Sequence, residues 1–166
     1  MTLSKPWNWA LSENPAWLEP SDEGRAIAER WKNHGVESVL DFGCGLGRHA
    51  IFFAQRGFRV SAFDLSQDAV DHLNAWAKRE NLPIKTETAD MLNLPYSDNA
   101  FDAIFAFHTV FHTDSVGIRK IINEIKRVLK PKGQLYLTLG SKETWAFRDT
   151  DRKSTRLNSS HSTESR

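Results

Sequence analysis

"VLDFGCGLGRHA" (residues 39–50) decides the fold. Its opening residues form a short apolar run interrupted by Asp41, and glycines then follow at 43, 45 and 47. An apolar run that stops at clustered glycines predicts a buried strand and then a tight turn. The next residues, "GRHAIFFAQRG", predict a helix closed by Gly57. Glycines between a strand and a helix permit positive φ and close approach of backbone to a ligand. The spacing is G-x-G-x-G, with Arg48 where the third glycine of a dinucleotide fingerprint would fall. That disfavours a pyrophosphate on the helix N-terminus, and no G-x-x-x-x-G-K-[ST] phosphate loop is present. Asp41, just before the loop, repels phosphate and suits a cationic ligand.

Working outward, the pattern alternates. Ser21, Asp22 and Glu23 predict a helix start, and His34-Gly35 its end. "VESVLDF", "FRVSAFD", "PIKTETAD", "FDAIFAFHTV" and "QLYLTLG" read as strands. Between them lie helical stretches: "SQDAVDHLNAWAKREN", with Ser66 as N-cap, and "SVGIRKIINEIKRVLK", stopped by "PKG". Strands alternating with helices predict an α/β, doubly wound parallel sheet. Such sheets bind ligands at the carboxyl ends of their strands. Asp64 ends the second strand, where an acid accepts bonds from both ribose hydroxyls, and Asp90 ends the third. The ligand implied is a cationic nucleoside without phosphate.

The segments "VLDFGCGLGRHA", "FRVSAFDLS", "TADMLNLPYSDNAFDAI" and "EIKRVLKPKGQLYLTL" resemble, in order, the motifs of class I S-adenosylmethionine-dependent methyltransferases. They are most similar to the type 11 branch, over roughly residues 36–140. The resemblance implies a Rossmann-like sheet of order 3-2-1-4-5, here without the family's last two strands. It implies S-adenosyl-L-methionine as cofactor, with Asp41, Gly43, Cys44, Gly45 and Gly47 around the amino-acid end. Asp64, with Leu65 after it, takes the ribose. Asp90 and Met91 flank the adenine, and Phe107 lines the site. Plainer roles compete: Asp64 as a helix cap, Asp90 as a turn residue, Cys44 as a small filler. Arg48 and His49 are expected to face solvent or the cofactor carboxylate.

Methyl transfer from a sulfonium is largely a matter of positioning and needs no metal. Where the acceptor must lose a proton, the candidate bases are His108 and His112 in "FAFHTVFHTD", with Asp114 just beyond. The two histidines are spaced i, i+4, but no third metal ligand is placed near them. Residues 1–20 hold Trp7, Trp9 and Trp17 among prolines. They predict an arm that either covers core or closes over the sulfonium or the acceptor.

A chain of 166 residues suggests one domain. The single cysteine, Cys44, excludes an internal disulfide framework and a cysteine zinc cluster. A net charge of +1 gives no footprint for nucleic acid or an anionic membrane. With no apolar run near bilayer length and no secretory signal, a cytoplasmic address and a small-molecule acceptor are expected. Residues 151–166, "DRKSTRLNSSHSTESR", are too polar to order themselves and resemble a translated sequencing-library adapter. The expected organisation is an arm (1–20), an incomplete cofactor-binding domain (21–150) and a non-native tail. On that reading "QLYLTL" is an unprotected apolar edge, and the chain as given is unstable and inactive. Two rival functions are a non-catalytic cofactor-binding module and a nicotinamide-dependent oxidoreductase.

Overall fold

A computed structural model describes Trp7, Trp9 and residues 15–139. The 151–166 tail and most of the N-terminal arm lie outside the described residues. Among the described residues five strands form one parallel sheet: β1 (Ser38–Phe42), β2 (Arg59–Asp64), β3 (Lys85–Thr88), β4 (Phe101–Ala106) and β5 (Leu129–Leu137). Their order is β3-β2-β1-β4-β5, as the resemblance implied. β1 is buried along its whole length because strands flank it and helices cover both faces.

Among the described residues four α-helices cover the sheet: α1 (Asp22–Asn33), α2 (Arg48–Gln55), α3 (Gln67–Arg79) and α4 (Ser115–Val128). Side-chain alternation along β1 divides the core. Val39 joins Trp31 of α1, Phe53 of α2 and Leu73 of α3 on one face. Leu40 and Phe42 join Ile121 and Ile125 of α4 on the other. The helix starts follow the sequence. Ser21 Oγ accepts from Gly24 N at 3.1 Å, Ser66 Oγ from Ala69 N at 3.4 Å and Asp114 Oδ1 from Gly117 N at 2.7 Å.

Three boundaries differ from expectation. β4 ends at Ala106, so Phe107 and His108 lie on the loop beyond it. β3 ends at Thr88, so Asp90 sits in a turn two residues further on. "PKG" does not separate helix from strand. Leu129 already pairs with Phe101, the chain bulges at Lys132 (φ 65°), and Gln134 rejoins opposite Ala103.

The amino-terminal ends of the central strands are tied by one carboxylate. Asp102 Oδ2 accepts from the amides of Glu37 (3.2 Å) and Ser38 (2.8 Å) and from Ser38 Oγ (2.8 Å). Its Oδ1 accepts from Lys130 Nζ at 2.7 Å. Burial pushes the Asp102 pKa up, but Lys130, Ser38 and Glu37 together hold it well below the usual carboxylate range. The stabilisation is therefore full above the unfolded carboxylate range and is lost only in strong acid. Asp102→Ala strands several donors and is expected to cost about 2–3 kcal/mol at pH 7, read from urea unfolding.

Candidate functional site

The glycine loop is built at the carboxyl ends of β1 and β2. Cys44 N donates to Phe63 O at 2.8 Å, and Gly47 N to Cys44 O at 3.0 Å, which folds the loop back into α2. Gly43 and Gly45 hold φ of 69° and 53°, a region most side chains avoid. A Cβ on Gly43 would meet the Thr109 hydroxyl, and one on Gly45 would lie 2.5 Å from the Trp9 ring. Both glycines are thus required by backbone conformation and by close approach. Cys44 is buried, with Sγ 3.5 Å from Gly45 O. Burial, then Asp41 and Asp64, push its thiol well up, so it is a filler rather than a nucleophile.

Asp41 is 2 % exposed, and its Oδ2 has no hydrogen-bond partner. Burial raises its pKa from 3.8 to about 7; the Ala50 amide opposes this, Asp64 adds to it and Arg48 opposes it. A buried carboxyl with an orphaned oxygen is costly unless something pairs with it. At the end of β1, beside the glycine loop, the matching partner is a cation.

Asp64 ends β2 as expected. Its Oδ2 accepts from Gly45 N and its Oδ1 from Ser66 N, each at 2.9 Å. It therefore fixes the glycine loop and the entry to α3, and each oxygen keeps a second lone pair for a ligand hydroxyl. Burial raises its pKa, opposed by the amides of Ser66, Gly45 and Leu65 and by His112. Leu65, half-buried, separates Asp64 from the Ser66 cap. Asp90 Oδ1 accepts from Leu92 N at 2.9 Å and shapes the turn after β3. Met91 packs into the α4-side core with Leu94.

The residue holding this turn was not singled out from the sequence. Arg127 on α4 donates to Leu94 O (3.1 Å) and Tyr96 O (2.7 Å) and pairs with Asp98 and Glu124. Glu124 in turn accepts from Leu94 N at 2.7 Å. An arginine on the polar side of an amphipathic helix gives no hint that it reaches another loop.

Arg48 and His49 depart from expectation. His49 is buried. Its Nε2 accepts from Ser21 N at 3.1 Å, and its ring lies 4.7 Å from that of Phe105. Burial, aided by Arg48 and His108, lowers its pKa to about 3, so it is neutral. Arg48 donates to the carbonyls of Ala16 (2.7 Å) and Glu19 (3.2 Å). His49 therefore anchors the segment before α1 rather than facing solvent, and the half-exposed Arg48 holds the same segment.

That segment closes a circuit of rings. Arg48 lies over Trp17 (5.3 Å) and Phe107 (5.7 Å). Trp17 meets Trp9 edge-on at 5.5 Å, and Trp9 meets Trp7 at 6.4 Å. Trp7 lies 5.9 Å from His112, which is 4.6 Å from Phe111. Phe111 reaches His108, and His108 returns to Phe107. The tryptophans thus meet both the glycine loop and the β4–α4 loop. Trp9 Nε1 is buried without a hydrogen-bond partner.

His108 adopts φ 57°, with its amide on Thr138 Oγ1 at 2.6 Å. His112 Nε2 lies 3.2 Å from His108 O. A carbonyl only accepts, so Nε2 carries the proton and Nδ1 keeps its lone pair. No group of three metal-ligating side chains occurs among the described residues. No helix among them is long and apolar enough to cross a membrane.

The donor set fits a sulfonium nucleoside carrying an amino acid: an orphaned carboxyl, a glycine cradle and an acid at the end of β2. Residues 39–133 match a family described as a methyltransferase domain. Sterol 24-C-methyltransferase ERG6B of Gibberella zeae is 31% identical over 128 residues, covering 71% of this chain and 33% of that protein. Methyltransferase GfsG of Streptomyces halstedii is 28% identical, covering 74% of this chain and 46% of that one. A putative S-adenosyl-L-methionine-dependent methyltransferase from Methanococcus maripaludis superposes with a TM-score of 0.61 at 28% identity, over 80% of this chain and 62% of that structure. The chain spans between a third and a half of the length of these curated relatives. Sheet order, glycine loop and family match agree: the chain belongs to the S-adenosylmethionine-dependent methyltransferases, with S-adenosyl-L-methionine as its cofactor.

Proposed function

We infer that the protein transfers a methyl group from S-adenosyl-L-methionine to a small-molecule acceptor. The observation that carries this is the unpartnered Asp41 oxygen beside the glycine loop. An ionised Asp41 pairs with the cofactor's ammonium. The backbone of Gly43, Cys44, Gly45 and Gly47 borders its amino-acid end. Asp64, already oriented by two amides, receives the ribose hydroxyls beside Leu65. The turn carrying Asp90 and Met91, clamped by Arg127, flanks the adenine. Phe107, His108 and His112 border the acceptor side. The bound cofactor supplies an electrophilic methyl, and the protein supplies alignment and water exclusion.

Titration calorimetry of the full 166-residue chain with S-adenosylhomocysteine tests the reading. One-to-one binding is expected. Asp64→Ala should weaken it by about 10–100-fold, the loss of charge-assisted hydrogen bonds worth ~1.5–3 kcal/mol. Absence of saturable binding, or an Asp64→Ala variant binding as well as the parent, contradicts it.

A further inference from the structure

The glycine loop is held from two directions. From β2, Phe63 O accepts from Cys44 N and Asp64 Oδ2 from Gly45 N. The second hold comes from α3. His72 Nδ1 lies 3.0 Å from Leu46 O, 26 positions away in the chain. A carbonyl only accepts, so Nδ1 carries the proton and the ring is the donor. The ring is braced edge-on by Trp76, one helical turn further, at 6.0 Å. Next to it on α3, Leu73 is fully buried against the loop, and a Cβ on Gly47 would lie 2.4 Å from Leu73 Cδ1. Leu46 itself stands between Gly45 (φ 53°) and Gly47 (φ 95°). Peptides flanked by glycine have wide conformational freedom, so what fixes the Leu46 carbonyl is the group it bonds to.

We propose that His72 is a positioning residue for the cofactor: its Nδ1–H holds the Leu46 carbonyl and fixes the glycine loop in the form that receives the amino-acid end of S-adenosyl-L-methionine. The inference rests on the methyl-transfer reading. His72 acts through the Leu46 peptide, not by contact with the ligand. A loop free to turn about its glycines bears its ordering cost when the ligand arrives, whereas a loop pinned beforehand does not. The same bond keeps the two halves of the cofactor site in one frame. α3 starts two residues after Asp64, at the Ser66 cap whose amide donates to Asp64 Oδ1. His72, two turns along that helix, thereby ties the loop to the element that carries the ribose acid.

The test is calorimetry on the full chain with two ligands, S-adenosylhomocysteine and 5′-methylthioadenosine, which keeps the nucleoside and the sulfur but has no amino-acid end. His72→Phe keeps a ring against Trp76 and removes the donor. It should weaken S-adenosylhomocysteine by about fivefold, the worth of one neutral hydrogen bond, and leave 5′-methylthioadenosine unchanged. His72→Asn places an amide nitrogen where Nδ1 stood and should restore the affinity of the parent. His72→Gln carries its amide one bond too far and should behave like His72→Phe. A role in packing alone would not separate asparagine from glutamine, nor one ligand from the other. His72→Phe binding S-adenosylhomocysteine as tightly as the parent, asparagine no better than glutamine, or equal losses for both ligands would overturn the proposal. The parent's own titration separates the two levels. Saturable binding with no effect at His72 sinks only the positioning role, whereas a parent that binds neither ligand sinks the methyl-transfer reading and this role with it.

Discussion

Asp41→Asn is expected to stabilise the ligand-free chain at pH 8 while weakening its grip on S-adenosylhomocysteine. The two effects share one cause. In the folded chain the Asp41 carboxyl titrates at about 7 rather than 3.8, chiefly because it is buried. A raised folded-state pKa gives stability that is present below the unfolded value and is lost as pH rises through the folded one. Above pH 7 the fold therefore carries an ionised, buried carboxylate with one oxygen unsatisfied. Asparagine removes that charge at nearly constant shape, with an expected gain of ~1–3 kcal/mol at pH 8 and little change at pH 4. The same substitution deletes the anion that pairs with the ligand's ammonium. A loss of about 3 kcal/mol, on the order of 100-fold in affinity, is expected. Urea unfolding at the two pH values and calorimetry at pH 8 read the two signs separately. A variant that loses both stability and affinity would instead mark Asp41 as a structural residue.

Phe105→Ala carries the largest expected stability loss. Phe105 lies mid-sheet on β4, fully buried. Its ring is stacked with Phe107 (5.7 Å) and Tyr136 (5.1 Å) and meets Phe53 edge-on (5.2 Å). It also touches Trp31 of α1 and His49 of α2, so one side chain on β4 joins α1, α2 and β5. Removing it leaves a cavity that rigid aromatic neighbours cannot fill, at a cost of about 3–5 kcal/mol. Most domains have only ~5–15 kcal/mol to lose. The urea midpoint should fall sharply, and a fall equivalent to less than about 1 kcal/mol would contradict this packing account.

The sequence carried the sheet well because its signals are local. "VLDFGCGLG" encodes a buried strand, an acid and a turn within nine residues, and the strand–helix alternation left one sensible architecture. The placement of the proposed cofactor residues was legible for the same reason: Asp41, Asp64 and the glycines lie where strands end. What escaped was non-local. That His49 is spent on Ser21, 28 positions away, cannot be read from "GRHAIFF", where it resembles any residue at a helix start. Arg127 reaches the Leu94–Asp98 turn across about 30 residues, and periodicity alone assigns it to solvent. The "PKG" bulge was missed because proline and glycine usually end an element; pairing of Leu129 with Phe101 outweighed that preference. The orphaned oxygen of Asp41 also depends on what surrounds it. Residue type and position announced a carboxylate, and only packing showed one of its oxygens to be without a partner.

The central claim is that an ionised Asp41 pairs with the cationic end of the cofactor, and one titration series tests it. S-adenosylhomocysteine is titrated into the full chain between pH 8 and pH 6, a range in which the ligand's ammonium stays charged. Protonating a carboxyl with a pKa of about 7 removes its attraction, and the raised pKa of Asp64 acts in the same direction. Affinity should fall as the medium is acidified, by roughly tenfold from pH 8 to pH 6, with proton release on binding near pH 7. Affinity that is flat across this range, or that strengthens toward acid, would contradict the account.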